Sequence, residues 1–526
     1  MNLKEWLPEE SFVNVNLSKI ENPEIWIGGE NLTSAAWIVS PDADFKGIAD
    51  RYGGQGNGGA TGSGRCVNIN GYQIKGCGRT ILSARPLHFS IDTCLTVKDH
   101  QNFRHTNGVL GLDEAMKEYI FSYAYNQATP YGAVTAHGVI LTGQQSPCKY
   151  PEDTGHPYIK SALLVRDQCL RLGHYVGIRM ANQSQLIELG YVTDTIRTEL
   201  AVNSFEKLVE YFNIDTSDNN KSDSVFLLFT KRLATQAAWS FIKRLMHSAI
   251  GEGNVTIDGK FLDLGVSTQL SDYGNVSVAV GQPYFHQENN RRKEMIYELF
   301  FTLSKFSKTQ FLTSPGTIIQ YFDSVYNTEI ENSLLCCLGL PKSMSKQVDQ
   351  TIKKNLRELF YKILKENKYF PFKLLYSSNN SKPVMPTQMG PYFFSGAICH
   401  LSLNNGDPLG IEKFLPIEFG LALSTIYNTL KKCCFNEAYF RLNGLRQNVE
   451  FIDLYQPVLN ANLSKLAYDD KSSSSNFIKI LFKKIDMHLS VENDVFMLHN
   501  ETQTCNIKLT DAINIKYHLK EFFNYV

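Results

Sequence analysis

The sequence predicts an α+β protein with a sheet-containing N-terminal lobe and a larger helical C-terminal lobe, and three observations predict it. The chain has 526 residues, of which 43% are hydrophobic, and this is ample for a large core. Strand-like runs dominate the first 200 residues, whereas helical periodicity dominates the remainder. Because strands followed by helices are typical of α+β architectures, we expect lobes over residues 1–200 and 201–526.

The individual elements are predicted from hydrophobic spacing and turn residues. In the first lobe we expect a mixed lead-in over 1–45, a strand over 67–75, a helix over 110–127 and strands over 133–141 and 161–166. In the second we expect a polar loop over 214–224, a long helix over 224–247, a mainly helical remainder beyond 285 with helices over 343–366 and 414–431, and a break at the serines 472–475. Asp258 and Gly259 are a two-residue turn signal, which predicts a hairpin.

Composition narrows the class of protein. The 52 basic and 52 acidic residues balance, so bulk charge predicts no nucleic-acid partner. Residues 1–10 lead into no apolar stretch and no run of about 18 apolar residues occurs, so we expect neither a signal peptide nor a transmembrane segment. The 11 cysteines form no CxxC pair, which argues against structural zinc and favours reduced thiols in a cytoplasmic protein.

A glycine-rich segment over 51–65 is the first candidate for chemistry. Glycine allows backbone N–H groups to approach phosphates closely and to adopt positive φ. A flexible surface loop would have the same composition, so the segment alone does not decide between the two. Its glycines are Gly53, Gly54, Gly56, Gly58, Gly59, Gly62 and Gly64, and Arg65 follows them.

Four charged side chains could hold nucleotide phosphates. Lys75 ends a predicted strand, and Glu118 on the predicted helix over 110–127 could form an ion pair with it. Arg166 and Arg171 could clamp phosphate oxygens bidentately. Taken singly, each of the four could equally be a solvated surface charge.

The predicted hairpin suggests a metal site. Its two ends bring Asn254 and Asp263 to face each other, with His247 just before them. An amide oxygen opposite a carboxylate suits Mg²⁺, with phosphates completing the octahedron. An ordinary hairpin with polar ends is the alternative.

The order of these parts along the chain is that of a protein kinase: glycine-rich loop, strand lysine, helix glutamate, His-x₆-Asn, hairpin and Asp-x-Gly. We therefore expect a bilobal protein-kinase-like fold that binds ATP and Mg²⁺. The catalytic aspartate is missing, because Ala249 stands in its place. The metal ligands are thus kept and the base that deprotonates a hydroxyl is not.

These motifs resemble those of the SelO pseudokinases, which are protein adenylyltransferases. The resemblance covers about two fifths of the chain and rests on Tyr52 with segments 62–65, 74–80, 117–124, 171–175, 247–254 and 263–265. It implies that Gly62, Gly64 and Arg65 contact the nucleotide, that Lys75 and Glu118 are paired, that Arg166 and Arg171 contact phosphates, and that Asn254 and Asp263 hold the metal.

One departure from the family concerns the acceptor. The family's base aspartate corresponds to Gly253, and Glu252 is the nearest carboxylate that could replace it. A hydroxyl acceptor benefits from a base, whereas a carboxylate is already an anion at pH 7. We therefore expect transfer of AMP to a peptide or protein acceptor, with a carboxylate as the group activated.

The chain also looks similar to siderophore-microcin maturation proteins. That resemblance implies a microcin precursor as acceptor and an acyltransferase-like partner protein, which together attach a glycosylated siderophore to the peptide's C-terminal end. Two other classes stay open: a kinase for a small molecule or protein, and a nucleotide-binding scaffold without catalysis.

Overall fold

The chain is described by a computed structural model, which covers residues 2–54, 61–83, 108–147, 158–178, 183–215, 221–270, 273, 276–277, 285–307, 313–337, 346–366, 373–374, 397, 400–401, 404–413, 416–431, 454, 456–487, 495–499 and 504–508. Within them, strands form one large sheet before residue 168 and helices dominate afterwards. The predicted α+β class is confirmed.

The sheet has eight strands in the described part of the chain, and every adjacent pair is antiparallel. Its order is β2-β7-β8-β6-β5-β4-β1-β3. The strands are β1 Phe12–Lys19, β2 Ile25–Ile27, β3 Trp37–Val39, β4 Phe45–Asp50, β5 Cys66–Ile69, β6 Tyr72–Lys75, β7 Ala136–Pro147 and β8 Tyr158–Asp167.

The α-helices cluster mainly in the second part of the chain. They are α1 Leu112–Ala128, α2 Ser184–Glu188, α3 Asp194–Asn203, α4 Leu208–Tyr211, α5 Lys221–Ile242, α6 Glu288–Phe306, α7 Pro315–Cys337, α8 Gln350–Glu366, α9 Ile417–Lys431, α10 Gln456–Leu466 and α11 Lys471–Met487. Short 3₁₀ helices cover Leu3–Glu5, Glu9–Ser11, Glu30–Ala35, Leu172–Tyr175, Phe205–Lys207, Glu252–Asn254, Leu264–Val266, Phe285–Gln287 and Ile411–Lys413.

Three short strand pairs complete the description of these residues. Strands β9 Leu245–Met246 and β10 Thr268–Gln269 are antiparallel, and so are β13 Val495–His499 and β14 Thr504–Lys508. Strands β11 Val276–Ser277 and β12 Lys373–Leu374 run parallel. The C-terminal hairpin was not predicted from the sequence. Among the described residues, no helix is both long and apolar enough to cross a membrane.

The two faces of the sheet carry different side chains because successive residues of a strand point to opposite sides. In β5 and β6, Val67 and Ile74 enter an apolar cluster on one face. The alternate positions Asn68, Gln73 and Lys75 are buried polar residues on the other face. The sheet therefore has an apolar side and a polar side, and the polar side faces the candidate site.

The predicted single strand over 67–75 is wrong in one respect, because two strands joined by a tight turn occupy it. Ile69 pairs with Tyr72, and the two residues between them, Asn70 and Gly71, have φ of 50° and 84°. Positive φ at both positions is what a two-residue type I′ turn requires. Asn-Gly is the strongest short hairpin signal, and it was overlooked.

Helix α1 lies where the helix over 110–127 was predicted. Leu112, Met116 and Ile120 recur at four-residue steps and are fully buried. Acidic residues in the first turn suit the positive end of the helix dipole. The helix ends at Ala128 because Thr129 is extended, as expected for a residue before proline.

Two other predicted boundaries need correction. The long helix ends at Ile242 rather than 247, because Arg244 has φ of 55° and the chain turns into β9. The serines 472–475 are not a break but the first turn of α11. Asp470 caps this helix, since its Oδ1 accepts the Ser473 N–H at 2.7 Å, and serine is well tolerated in a first turn next to such a cap.

The Asn70–Gly71 turn allows a test of the hairpin. A Cβ at Gly71 would meet nothing within 4 Å, so Gly71→Ala costs only the strain of positive φ, about 1 kcal/mol. We expect a lower urea midpoint for Gly71→Ala and a smaller loss for Gly71→Asn, because asparagine tolerates this conformation. Equal stability of wild type and Gly71→Ala would contradict the assigned turn.

Candidate functional site

Three elements meet at one buried lysine. Lys75, the last residue of β6, donates from Nζ to Glu118 Oε1 of α1 at 2.5 Å and also contacts Asp263 Oδ1. Lys75 and Glu118 are only 2% and 3% exposed, whereas Asp263 is 34% exposed. The lysine is therefore enclosed on the helix side, and the carboxylate of Asp263 is the part of the triad that opens to solvent.

Arginines surround this triad. Arg166 Nη1 lies 3.6 Å from Glu118 Oε2, and Arg65 Nη2 donates to Glu114 Oε1 at 3.2 Å. Arg65 is therefore held by a carboxylate of the same helix that carries Glu118. The charges of the cluster balance: the cations are Lys75, Arg65 and Arg166, and the carboxylates are Glu114, Glu118 and Asp263.

The two carboxylates on Lys75 differ in their protonation behaviour. Burial would raise the pKa of Asp263, but Lys75, Arg166 and Arg65 outweigh it and hold that pKa well below its usual range. For Glu118, burial dominates over the attraction of Lys75 and raises the pKa. Asp263 is thus held in its ionised form, as a metal ligand must be.

Asp263 has an unusual backbone. Its φ of 63° and ψ of 52° place it in the left-handed region, directly before the 3₁₀ helix Leu264–Val266. A non-glycine residue there costs about 1 kcal/mol or more and is concentrated at functional sites. This turn aims the Asp263 side chain at Lys75, so the strain coincides with the contact that builds the site.

The predicted hairpin between Asn254 and Asp263 exists, but its loop has three residues instead of two. Val255 pairs with Phe261, and Thr256 N donates to Lys260 O at 3.0 Å. Residues 257–259 form the loop, with Gly259 at φ 86°. Glycine takes the left-handed position of a three-residue hairpin loop. The loop therefore begins one residue earlier than the predicted two-residue turn.

The hairpin brings the backbone segments of the two predicted metal ligands, Asn254 and Asp263, next to each other. Leu262 N donates to Asn254 O at 3.1 Å, so Asn254 lies opposite the residue that precedes Asp263. Its amide nitrogen donates to Ala249 O at 2.7 Å, and the amide oxygen is the atom that a cation could use. His247 is fully buried, with its Nε2 2.9 Å from Leu262 O, and thereby joins the two sides of the loop.

The donor set fits magnesium better than a transition metal. Among the described residues, no group of three or more His, Cys, Asp or Glu could hold a metal ion. One carboxylate and one amide oxygen, from Asp263 and Asn254, match the sparse oxygen ligation of Mg²⁺, which keeps waters and phosphates in its shell.

Arg166 and Arg171, the expected phosphate clamp, have internal hydrogen-bond partners in the structure. Their side chains are 3% and 1% exposed and are used inside the protein. Both donate to Gln73 Oε1, Arg166 from Nε at 3.0 Å and Arg171 from Nη2 at 2.9 Å. Arg171 Nη1 also donates to Gly253 O at 2.6 Å. Arg171 thereby holds the loop before Asn254 in place, and Arg166 joins Gln73 to the charged cluster around Lys75.

A buried polar network behind the site was missed from the sequence. Asp50, fully buried, accepts from Asn68 Nδ2 and from Ser63 Oγ, the latter at 3.2 Å. His174 Nε2 lies 3.5 Å from Asp50 Oδ2, and its Nδ1 accepts the Arg171 N–H at 3.0 Å. Burial lowers the pKa of His174, so its imidazole is neutral. Gln73 was detectable, because it shares the strand face of Lys75 by two-residue spacing, whereas Asn68 reaches that face only by pairing with Gln73.

The first residues of the glycine-rich segment pack closely against the backbone of another part of the chain. Gly53 N donates to Gly173 O at 2.8 Å, and Gly54 N donates to Gly177 O at 3.1 Å. A Cβ at Gly53 would lie 2.3 Å from the Gly177 carbonyl, so the glycine is required by close backbone approach. Gly56, Gly58 and Gly59 lie outside the described residues.

The end of that segment is also packed closely. Gly62 has φ of 151°, and a Cβ there would lie 2.2 Å from Asp50 O. A Cβ at Gly64 would lie 2.7 Å from Ser83 Cα. The close packing of Gly62 and Gly64 accounts for both glycines, and Arg65 is the residue of this stretch that reaches the charged cluster.

Glu252 does not have the environment expected of a replacement base. Its side chain is fully buried, and both carboxylate oxygens accept from Arg291 Nη2, at 2.9 and 2.7 Å. A Cβ at Gly54 would lie 2.7 Å from the Glu252 side chain. An ion-paired carboxylate without exposed surface is a poor proton acceptor for a group arriving from solvent, so the geometry argues against this role.

The buried histidines predict how stability depends on pH. Burial lowers the pKa of His174 and His247 below the ordinary value of about 6.5, so the unfolded chain binds more protons between the two values. Stability should therefore fall as pH decreases from 7 to 5, by up to about 1.4 kcal/mol per pH unit for each histidine. Urea unfolding of wild type and His247→Gln at pH 7 and pH 5 measures this dependence. The free energy of unfolding should fall less for His247→Gln than for wild type between these two pH values. An equal pH dependence in both proteins would contradict a neutral, buried His247.

No family model matches the chain, and no curated protein matches it. The geometry of the Lys75 site carries the functional argument.

Proposed function

We propose that this protein is an ATP- and Mg²⁺-dependent enzyme that transfers AMP to, or activates, a carboxylate of a peptide or protein acceptor. The observation that carries the proposal is the position of Lys75, whose buried ammonium lies between Glu118 and the solvent-open Asp263. A phosphate chain entering from the Asp263 side would reach a lysine, a carboxylate and an amide oxygen together.

Each residue of the triad has a distinct role in this proposal. Glu118 orients the Lys75 ammonium, and that ammonium binds phosphate oxygens as a point charge. Asp263 and Asn254 would hold Mg²⁺, which neutralises charge on the phosphates and orients them when bound. The left-handed backbone of Asp263 presets the direction of its carboxylate before any ligand arrives.

Charge balance supports joint binding of ATP and metal. Because the cations and carboxylates of the cluster cancel, the site offers no net positive charge to an ATP tetra-anion. A metal ion in turn competes with the Lys75 ammonium for the Asp263 carboxylate. The lack of net positive charge for ATP and the competition for Asp263 both matter less when ATP and Mg²⁺ bind together. Lys75 can then turn to the phosphates while Asp263 turns to the metal.

The missing base favours AMP transfer to a carboxylate over phosphorylation of a hydroxyl. Ala249 and Gly253 have no carboxylate, and Glu252 is bound to Arg291. A base is worth about 10²–10⁴ in rate when a hydroxyl must lose its proton. A carboxylate oxygen can attack the α-phosphorus directly; the P–O bond to pyrophosphate breaks, pyrophosphate leaves, and no proton needs to move.

The acceptor we propose follows from the resemblance to SelO pseudokinases and siderophore-microcin maturation proteins. It is the C-terminal carboxylate of a microcin precursor, which would be activated as the mixed anhydride with AMP. An acyltransferase-like partner would then join the glycosylated siderophore to the activated peptide. Arg65, the partly exposed cation of the cluster, would contact the nucleotide.

Ligand-dependent thermal stability tests the joint binding of metal and nucleotide. We expect little shift in Tm with Mg²⁺ alone and a shift of several degrees with Mg²⁺ and ATP together. The reason is that Lys75 occupies the Asp263 carboxylate until phosphates attract the Lys75 ammonium. Asp263→Asn should remove the Mg²⁺-dependent part. Asp258→Asn is the matched control, because Asp258 lies in the same hairpin but pairs with Lys260. A full shift with Mg²⁺ alone, or one that persists in Asp263→Asn, would contradict the proposed site.

The position of the isotope label in ATP tests which group the protein transfers. The protein is incubated with a microcin precursor peptide, Mg²⁺ and ATP labelled on either the α- or the γ-phosphate. We expect peptide-bound label only from the α-phosphate, reduced about 100-fold or more in Lys75→Met. Lys260→Met, which changes a 41% exposed lysine of the hairpin, should keep activity. Transfer of the γ-label would identify a kinase instead, and nucleotide binding without any transfer would favour a scaffold.

A further inference from the structure

We infer that the C-terminal helices α10 and α11 form a positioning element for Glu118, with Asn460 and Phe482 as its contact residues. This inference rests on the proposed function, because it assigns these residues a role in nucleotide binding. Both helices pack against α1, although more than 300 residues of chain separate them from it. No motif of the sequence assigns a role to this part of the chain.

Helix α1 is held from two sides. On the sheet side, Ser122 Oγ donates to Val134 O at 2.9 Å and accepts the Ala136 N–H at 2.9 Å. Glu118 precedes Ser122 by four residues and therefore shares this face, where it meets Lys75. The sheet contacts only this side of α1. The rotation of α1 about its axis and its distance from the sheet therefore also depend on the elements that pack against its other side.

The helix pair supplies a polar contact next to Glu118. Lys117, the preceding residue, is 2% exposed, and its Nζ donates to Asn460 Oδ1 of α10 at 3.1 Å. A buried ammonium requires hydrogen-bond partners, since desolvation without them is expensive. This bond therefore fixes the turn of α1 that carries Glu118.

The same pair supplies an aromatic contact one turn further along. The ring of Phe482 in α11 stacks on Tyr123, with centroids 3.8 Å apart and planes 10° apart, and lies 5.6 Å from the ring of Tyr119. Tyr119 and Tyr123 are four residues apart and so lie on one face of α1. Phe482 thus packs over the stretch that follows Glu118.

The pair is also anchored to the sheet that carries Lys75. Tyr468, in the connection between α10 and α11, donates its hydroxyl to Tyr158 O at the start of β8. Strand β8 pairs with β6, where Leu164 lies opposite Lys75. The C-terminal helices therefore connect the strand beside the lysine to the helix of the glutamate, and this connection sets how closely the two charges approach.

A double-mutant cycle on MgATP affinity tests the inference. Phe482→Ala should weaken binding of ATP and Mg²⁺ by about tenfold in the wild-type background, measured by titration calorimetry. In the Glu118→Gln background the same substitution should have little further effect, because its influence passes through Glu118. Phe482→Tyr should restore affinity, since it keeps the stacked ring. Ile480→Ala is the control, because Ile480 lies on the same helix and is 48% exposed.

The possible results separate this inference from the proposed function. If Glu118→Gln alone leaves MgATP affinity unchanged, the proposed nucleotide site is wrong. If Glu118→Gln weakens binding but Phe482→Ala does not, or if the two losses add, the helix pair is ordinary packing and the inference fails. Should Phe482→Ala not fold by circular dichroism, Phe482→Leu replaces it in the same cycle, with the same criteria.

Discussion

The buried ammonium of Lys75 is the interaction on which the rest of the site depends. Removing a charge from water costs several kcal/mol unless partners compensate it. Here the partners are Glu118 and Asp263, which lie 43 and 188 residues away in the chain. Because both must converge on one atom, the lysine joins the sheet, helix α1 and the hairpin after residue 254. The same requirement leaves one carboxylate, that of Asp263, open to solvent.

A network of buried polar groups on the polar face of the sheet supports this arrangement. Gln73 accepts from two arginines, and one of them, Arg171, also holds the carbonyl of Gly253. The polar face of the sheet is thus connected to the loop that carries Asn254. In the low dielectric of the interior, hydrogen bonds of this kind are stronger than in water and restrict the geometry of the groups that they join. We attribute the fixed position of the candidate metal ligands to this network rather than to the hairpin alone.

The triad can be predicted from the sequence but its surroundings cannot, for physical reasons. Lys75, Glu118 and Asp263 were identified because their order along the chain carries information that single residues lack. Burial of an arginine or glutamate has no local signature, so the internal partners of Arg171 and the ion pair of Glu252 could not be predicted from the sequence. The fold class followed from hydrophobic periodicity, whereas boundaries at Arg244 and at the serines 472–475 depended on backbone dihedrals and a cap that periodicity does not reveal.

The central claim is that Asp263 and Lys75 converge on one nucleotide–metal complex, and manganese binding measures this most directly. Mn²⁺ replaces Mg²⁺, and the free Mn²⁺ signal is followed by electron paramagnetic resonance as ATP is added to the protein. The account predicts that Mn²⁺ binds tightly only with ATP present and that Asp263→Asn and Lys75→Met each abolish this ATP-dependent binding. Unchanged Mn²⁺ binding in Asp263→Asn, or binding indifferent to ATP, would contradict it.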